Sequence, residues 1–209
     1  MHNGESARLE QGLQQLGIRS APGTVERLLD YASLLRQWNR SYNLVSAADE
    51  PLLVPRHLLD SLAIQPYLKP GSLLDVGSGA GLPGLPLALA DPTLDCTLLD
   101  SSGKKIRFLR HVKRSMALDN IRPEQARAQD FQSARAFDNI TSRAFASLAE
   151  FAGAVRHLAA PGTRLLAMKG RLPSAELAEL PPWLKVDVVE PITVPDLHGE
   201  RHLVIMSVS

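Results

Sequence analysis

The feature that most constrains the fold is a run of glycines at alternate positions, Asp75-Val76-Gly77-Ser78-Gly79-Ala80-Gly81. A short apolar stretch at 72–76 precedes it and reads as a strand. A segment at 82–90 without a single charge follows it and reads as a helix. A strand that turns into a helix through glycines lets the backbone approach a ligand with no Cβ in the way. Spacing narrows the ligand. A dinucleotide-binding loop carries glycines at its first, third and sixth positions. Counted from Gly77, the sixth position here is Leu82, and the third glycine is Gly81 at the fifth. That pattern suits a nucleoside cofactor without a pyrophosphate. A glycine loop alone is a weak signal, and Asp100 strengthens it. It closes the next apolar run, 23 positions after Gly77, where an acidic side chain in such folds accepts hydrogen bonds from ribose hydroxyls. A structural role is compatible with this, because Asp is also favoured as a cap for a helix opening near Gly103.

Around this unit, strands are expected at 94–100, 121–127, 137–141 and 163–168, with helices at 103–118, 146–158 and 174–180. Such alternation predicts an α/β fold with a parallel, doubly wound sheet. Two closing extended runs, 184–194 and 202–208, have no strong helix between them and are expected to pair antiparallel. Upstream of Pro70-Gly71 the pattern is helical. Val25, Leu28, Leu29, Ala32, Leu35 and Trp38 recur at three- and four-residue spacing, with Thr24 as the expected N-cap. A second helix is expected over 55–68, bent or ended by Pro66. Asn39 and Asn43 are expected to shape the turn after the first helix. The chain of 209 residues therefore divides into an N-terminal helical extension, 1–70, packed on an α/β domain, 71–209.

An apolar fraction of 44% with 22% charged residues supports a sizeable core. No apolar stretch approaches the roughly 20 residues that span a bilayer, and the first residues lack the pattern of a secretory signal. A cytoplasmic protein with no membrane partner and no metal is expected. The single cysteine, Cys96, reads as a buried small residue in a reducing compartment. The net charge of +1 conceals one cluster. Lys104, Lys105, Arg107, Arg110, Lys113 and Arg114 are six of the 23 basic residues, in eleven positions without an acid. Such a helix face either meets phosphates or stays solvated.

Several further runs carry a resemblance. They are Trp38-Asn39 with Tyr42-Asn43-Leu44, Arg56-His57-Leu58-Leu59-Asp60-Ser61, the glycine loop extended through Leu82-Pro83-Gly84-Leu85-Pro86, and Leu99-Asp100-Ser101 with Lys104-Lys105. Ser142-Arg143-Ala144-Phe145-Ala146, Lys169-Gly170 and Gly199-Glu200-Arg201-His202-Leu203 complete the set. In this order, from about residue 25 to the end, they resemble the bacterial 16S rRNA guanine-N7 methyltransferase (RsmG, or GidB) family. The resemblance implies a class I S-adenosylmethionine-dependent methyltransferase fold: Rossmann-like, with seven mostly parallel strands and an antiparallel last strand. It implies methyl transfer to N7 of one guanine near the decoding site of 16S rRNA, with S-adenosylhomocysteine as product. The RNA would be met free, in an assembly intermediate or in the small ribosomal subunit, by a monomeric enzyme. Carried over by position, Asp75, Gly77, Gly79, Gly81, Leu82 and Asp100 belong to the cofactor site. Ala128 and Gln129 flank the adenine, and Arg143 sits beside the site. The family usually carries an acid where this chain has Gln129, with Asp130 next to it.

The chemistry implied explains what the sequence lacks. Guanine N7 carries an in-plane lone pair and no proton, so alignment can carry the reaction without a general base. Arg143, Phe145, Lys169 and Arg201 are the candidates for positioning the acceptor, because strand ends at the carboxyl edge line ligand sites in open α/β sheets. Arg143 and Lys169 are the foremost of them. His57 and Asp60, three apart on the expected second helix, can meet each other and are expected to hold the extension, or a lid, on the sheet and not to act as catalytic groups. Two other classes are disfavoured. A nicotinamide-dependent dehydrogenase conflicts with Leu82, and a non-catalytic RNA-binding module conflicts with an intact glycine loop and Asp100.

Overall fold

The computed structural model describes residues 2–143 and 145–208. Its centre is a seven-stranded sheet in the order β3-β2-β1-β4-β5-β7-β6. The strands are β1 (Ser72–Val76), β2 (Asp95–Asp100), β3 (Ile121–Gln125), β4 (Asn139–Ser142), β5 (Arg164–Lys169), β6 (Leu184–Pro191) and β7 (His202–Val208). β1 to β5 pair in parallel, whereas β7 lies antiparallel between β5 and β6. The strand order reverses between β1 and β4, which opens a crevice at their carboxyl ends. Pro123 falls in β3 at the sheet edge, where a missing N–H costs no ladder bond.

Two helices, α1 (His2–Gln15) and α2 (Thr24–Tyr42), form most of the extension. Leu9, Leu13, Leu28, Tyr31 and Leu35 share one core cluster with Leu85, Leu89 and Phe108 of the sheet's covering helices. This explains the uncharged segment after the glycine loop. Every residue of α4 (Gly84–Ala90) is buried, since the sheet covers one side and the extension the other, and only an all-apolar helix fits there. Trp38 belongs to the same layer, stacked on Tyr42 with ring centroids 5.0 Å apart. On the opposite face, α6 (Leu148–Val155) is capped by Ser147, which accepts from the Glu150 N–H at 3.1 Å. It packs with a second cluster that includes Phe151, Leu165 and Met206. Among the described residues, no helix is long and apolar enough to cross a membrane.

The chain departs from the sequence expectations at three helix ends. Gly23, at φ 75°, takes the N-cap position of α2, and the Thr24 hydroxyl donates to the Ala21 carbonyl at 2.7 Å instead of capping. The expected helix over 55–68 is three pieces: a π-helical stretch Leu53–Leu59, one turn of α3 (Asp60–Leu62) and a 3-10 turn Gln65–Tyr67. Pro55 and Pro66 supply no N–H, so regular i→i−4 bonding fails at both. Finally, α5 (Gly103–Ser115) stops short of Leu118 because Ala117 adopts φ 50° and the Leu118 N–H returns to the Lys113 carbonyl at 3.0 Å. That is the closing bond of a Schellman motif, with alanine in the left-handed position. The turn after α2 follows expectation: Asn43 is left-handed at φ 49°, and Asn39 Oδ1 accepts from the Leu44 and Val45 N–H groups at 2.7 and 2.9 Å.

Candidate functional site

The glycine loop is stitched to the end of the neighbouring strand. The Gly77 and Ser78 N–H groups both donate to the Leu99 carbonyl, at 2.8 and 3.0 Å. Two glycines are required by geometry. Gly81 sits at φ 100°, with Leu109 and Leu85 atoms about where a Cβ would press, at 2.9 and 3.0 Å. Gly84 opens α4 so close to β1 that a Cβ would lie 2.6 Å from Leu98 and 2.9 Å from Asp75. That approach lets Asp75 accept the Gly84 N–H at 2.8 Å. Asp75 is wholly buried, and among the described residues its second carboxyl oxygen has no partner. Burial pushes its pKa up to about 7, against the Gly84 bond and the Arg143 charge, with help from Asp100. Asp75 therefore braces the loop from behind.

Asp100 braces it from the side. One oxygen accepts the Gly79 N–H at 2.9 Å and lies 3.4 Å from the Lys105 ammonium; the other accepts the Ser102 N–H at 2.8 Å. Ser102 is the N-cap residue of α5, so Asp100 acts two residues ahead of the helix and does not cap it. A carboxylate offers about four lone-pair positions, which leaves Asp100 room for a further donor. A cavity of about 400 Å³ opens here, at the carboxyl ends of β1, β2 and β3. Gly77, Asp100, Lys105, Ala128, Gln129 and Phe145 are among its lining residues. Of the loop residues singled out from sequence, Gly79, Gly81 and Leu82 are not part of its lining; Leu82 is buried in the core. Arg143 lies elsewhere.

A second cavity, of about 290 Å³, is lined by Arg56, His57, Asp60, Arg143, Lys169, Arg201 and His202 among others. Asp60, almost fully buried, is its hub: its two oxygens lie 3.4 Å from Arg143 and 3.3 Å from Arg201. Burial raises the Asp60 pKa, and the two guanidinium groups oppose the rise. His57 turns its Nδ1 toward Arg143, 3.5 Å away. The expected His57–Asp60 contact is thus replaced by two contacts to a common partner, Arg143. Burial, reinforced by Arg143, lowers the His57 pKa to about 4. The Lys169 ammonium is 2.8 Å from Glu176 and donates to the Ala146 carbonyl at 3.3 Å.

The loop after β4 forms a shared wall, with Arg143 on the second cavity and Phe145 on the first. Ala144 between them lies outside the described residues. Three participants escaped the sequence reading. Asp60 appeared inside a motif and as a partner for His57, and His202 only inside a motif; Glu176, which also accepts the Leu148 N–H at 2.7 Å, carried no local signal.

Comparisons with known proteins agree with this architecture. Solved structures at low identity share the fold. A SAM dependent methyltransferase from Aquifex aeolicus matches 78% of this chain and 95% of its own, with TM-score 0.56 and 15% identity. TrmN from Thermus thermophilus matches 73% of this chain with TM-score 0.55 and 19% identity, this chain spanning 48% of that one. Sequence relatives are closer. Ribosomal RNA small subunit methyltransferase G of Alkalilimnicola ehrlichii is 49% identical over 93% of this chain and 89% of its own. Its namesake from Stenotrophomonas maltophilia is 48% identical over 95% and 93%, and that from Salmonella arizonae 44% over 95% and 96%. The family model described as "rRNA small subunit methyltransferase G" matches residues 24–204. With the glycine loop and the closing antiparallel strands where the sequence set them, the chain belongs to the GidB family of ribosomal RNA small subunit methyltransferases.

Proposed function

We propose that this enzyme transfers a methyl group from S-adenosylmethionine to N7 of a single guanine in the decoding-site-proximal loop of 16S rRNA, leaving S-adenosylhomocysteine. The observation that carries the reading is the pair of cavities sharing the Arg143–Phe145 wall. The first has the donor set for a nucleoside: a carboxylate with lone pairs to spare in Asp100, apolar flanks in Leu99 and Ala128, and the side-chain amide of Gln129. Asp100 would hold the ribose hydroxyls, and Ala128 and Gln129 the adenine. The cofactor supplies an electrophilic methyl on a sulfonium centre. The second cavity supplies cations for an acceptor nucleotide, with Arg143, Lys169 and Arg201 around it.

Attack by N7 releases no proton from the base, so no general base is required. The titratable groups nearby suit that chemistry. His57 titrates near pH 4 and is neutral at working pH, while Asp60 is held between two arginines. Their contribution is placement: Arg143 and Arg201 arrive pre-oriented, which lowers the entropy of reaching the reactive geometry. The target guanine must be unpaired or flipped out of its stack to present N7 this way. The chain would act as a monomer in the cytoplasm, where the small ribosomal subunit is assembled.

Two measurements test the reading. Calorimetry with S-adenosylmethionine and with NADH is expected to show binding of the first alone. Deleting the gene is expected to remove one borohydride/aniline-sensitive guanine from 16S rRNA, and returning it to restore the cleavage. An unchanged cleavage pattern would overturn the assignment.

A further inference from the structure

The second cavity holds a polar group without a partner. His57 is only 6% exposed, and among the described residues its Nε2 has no hydrogen-bond partner, although the ring lines the cavity. A buried polar nitrogen left unpaired is costly and calls for an explanation. The identity of the proton on it follows from its neighbour. Nδ1 faces the Arg143 guanidinium at 3.5 Å, and a guanidinium has donors only. Nδ1 must therefore present its lone pair, so in the neutral ring the hydrogen sits on Nε2. The unpaired atom is a donor. Donors predominate around it: Arg56, Arg143, Lys169 and Arg201 carry no acceptor on their side chains. Against them stand His202, whose Nδ1 also has no partner among the described residues, and Asp60, whose oxygens are drawn toward Arg143 and Arg201.

A cavity that presents donors takes a ligand edge made of acceptors. Guanine carries N7 and O6, both acceptors, on its Hoogsteen edge; adenine carries N7 beside an amino group. Resting on the methyl-transfer reading above, we propose that His57 determines base specificity, its Nε2–H donating to O6 of the acceptor guanine while N7 is left free to attack. An adenine in the same pose would set its amino group against the imidazole N–H, donor against donor. Sites built to hydrogen-bond one group reject an analogue lacking it far more strongly than apolar pockets reject a change of size.

The test uses the full-length enzyme and ligated 16S rRNA carrying guanine, inosine or 2,6-diaminopurine at the target position. Inosine keeps O6 and N7; diaminopurine keeps N7 and replaces O6 with an amino group. Wild-type enzyme is expected to methylate inosine within about tenfold of guanine and to disfavour diaminopurine by about 100-fold or more in kcat/KM. His57→Ala should lower the guanine rate by about tenfold and shrink the guanine-to-diaminopurine ratio to below about ten. His57→Gln, which returns an N–H donor, should restore part of that ratio. Denaturant midpoints and S-adenosylmethionine affinity report whether each variant is folded, and the Gln variant decides the matter if the Ala variant is not. A ratio unchanged by these substitutions in an active enzyme overturns the inference alone. So does an equal loss on all three RNAs, which would place His57 on a phosphate. Failure of the wild type to methylate the guanine RNA overturns the underlying reading and the inference together.

Discussion

At the scale of single residues, two buried carboxylates do opposite work. Asp75 is sealed under the glycine loop, with one oxygen unpaired among the described residues. Its pKa lies near 7 in the folded chain, against 3.8 ordinarily. Between those values the native state holds a proton that the unfolded chain has released. Stability from this group is therefore fullest below about pH 4 and falls as pH rises toward 7, by up to about 1.4 kcal/mol per unit. Asp75→Asn keeps an acceptor for the Gly84 N–H and removes the charge. Denaturant unfolding at pH 5 and pH 8 should show a flatter pH dependence in the variant; an identical slope would count against the buried, protonated carboxylate. Asp60 differs in being surrounded by cations. Its desolvation raises the pKa against their attraction, and its geometry makes it a placement device that holds both arginines. Asp60→Asn leaves two largely buried guanidinium groups without their counter-charge, so unfolding free energy should fall by up to about 3–5 kcal/mol, and methyl transfer per folded molecule should fall by about tenfold or more as both arginines lose their anchor. A large stability loss with normal specific activity would contradict that.

Among the elements, α5 shows how much a charge cluster leaves undecided until its surroundings are known. Its apolar residues Ile106, Phe108, Leu109 and Val112 are buried against the sheet and α2. Of the six cations, Lys105 faces Asp100 and Lys113 donates to the Ile121 carbonyl at 2.7 Å. Lys104, Arg107, Arg110 and Arg114 remain exposed along one side, at helical spacing of three and four, with Arg107 also over the Tyr42 ring at 5.9 Å. If this stripe tracks RNA phosphates, replacing Lys104, Arg110 and Arg114 with alanine weakens RNA binding and flattens its salt dependence, by about 0.7 in the log–log slope for each phosphate no longer neutralised. S-adenosylmethionine affinity should not change. Filter binding at several salt concentrations gives the slope and calorimetry the cofactor affinity, and an unaltered slope would return the stripe to the status of a solvated face.

For the whole molecule, the extension and the sheet share one apolar layer, and the glycine loop is pinned from both sides of that boundary. The Tyr31 hydroxyl of α2 donates to the Ala80 carbonyl inside the loop at 2.8 Å. Trp38 reports on this layer, and Trp183 packs against the opposite cluster. Single-tryptophan variants, Trp38→Phe and Trp183→Phe, should unfold with coincident midpoints by fluorescence and by circular dichroism, the mark of one cooperative unit. Separate midpoints would mean that the extension opens independently.

The sequence by itself determined what depends on local order: β/α alternation, the glycine spacing that points away from a dinucleotide, the amphipathic α2 and α5, and the closing strand pair. These are set by side-chain periodicity and by backbone conformations that only certain residues adopt. Of the residues singled out from the glycine run and the resemblance, Gly77, Asp100, Ala128 and Gln129 line one cavity, and Arg143 and Lys169 line the other. Tertiary structure alone decided which polar group meets which. Asp60 and Arg143 are 83 residues apart, and Asp60 and Arg201 lie still farther apart along the chain, so no local pattern pairs them. Pro66 marked a break in the 55–68 helix, but the π-helical stretch at Leu53–Leu59 and the approach of His57 to Arg143 were not legible in the sequence. Such pairings follow from the sheet order, which brings the ends of β4, β5 and β7 together, and burial then decides which of the gathered groups keep a charge.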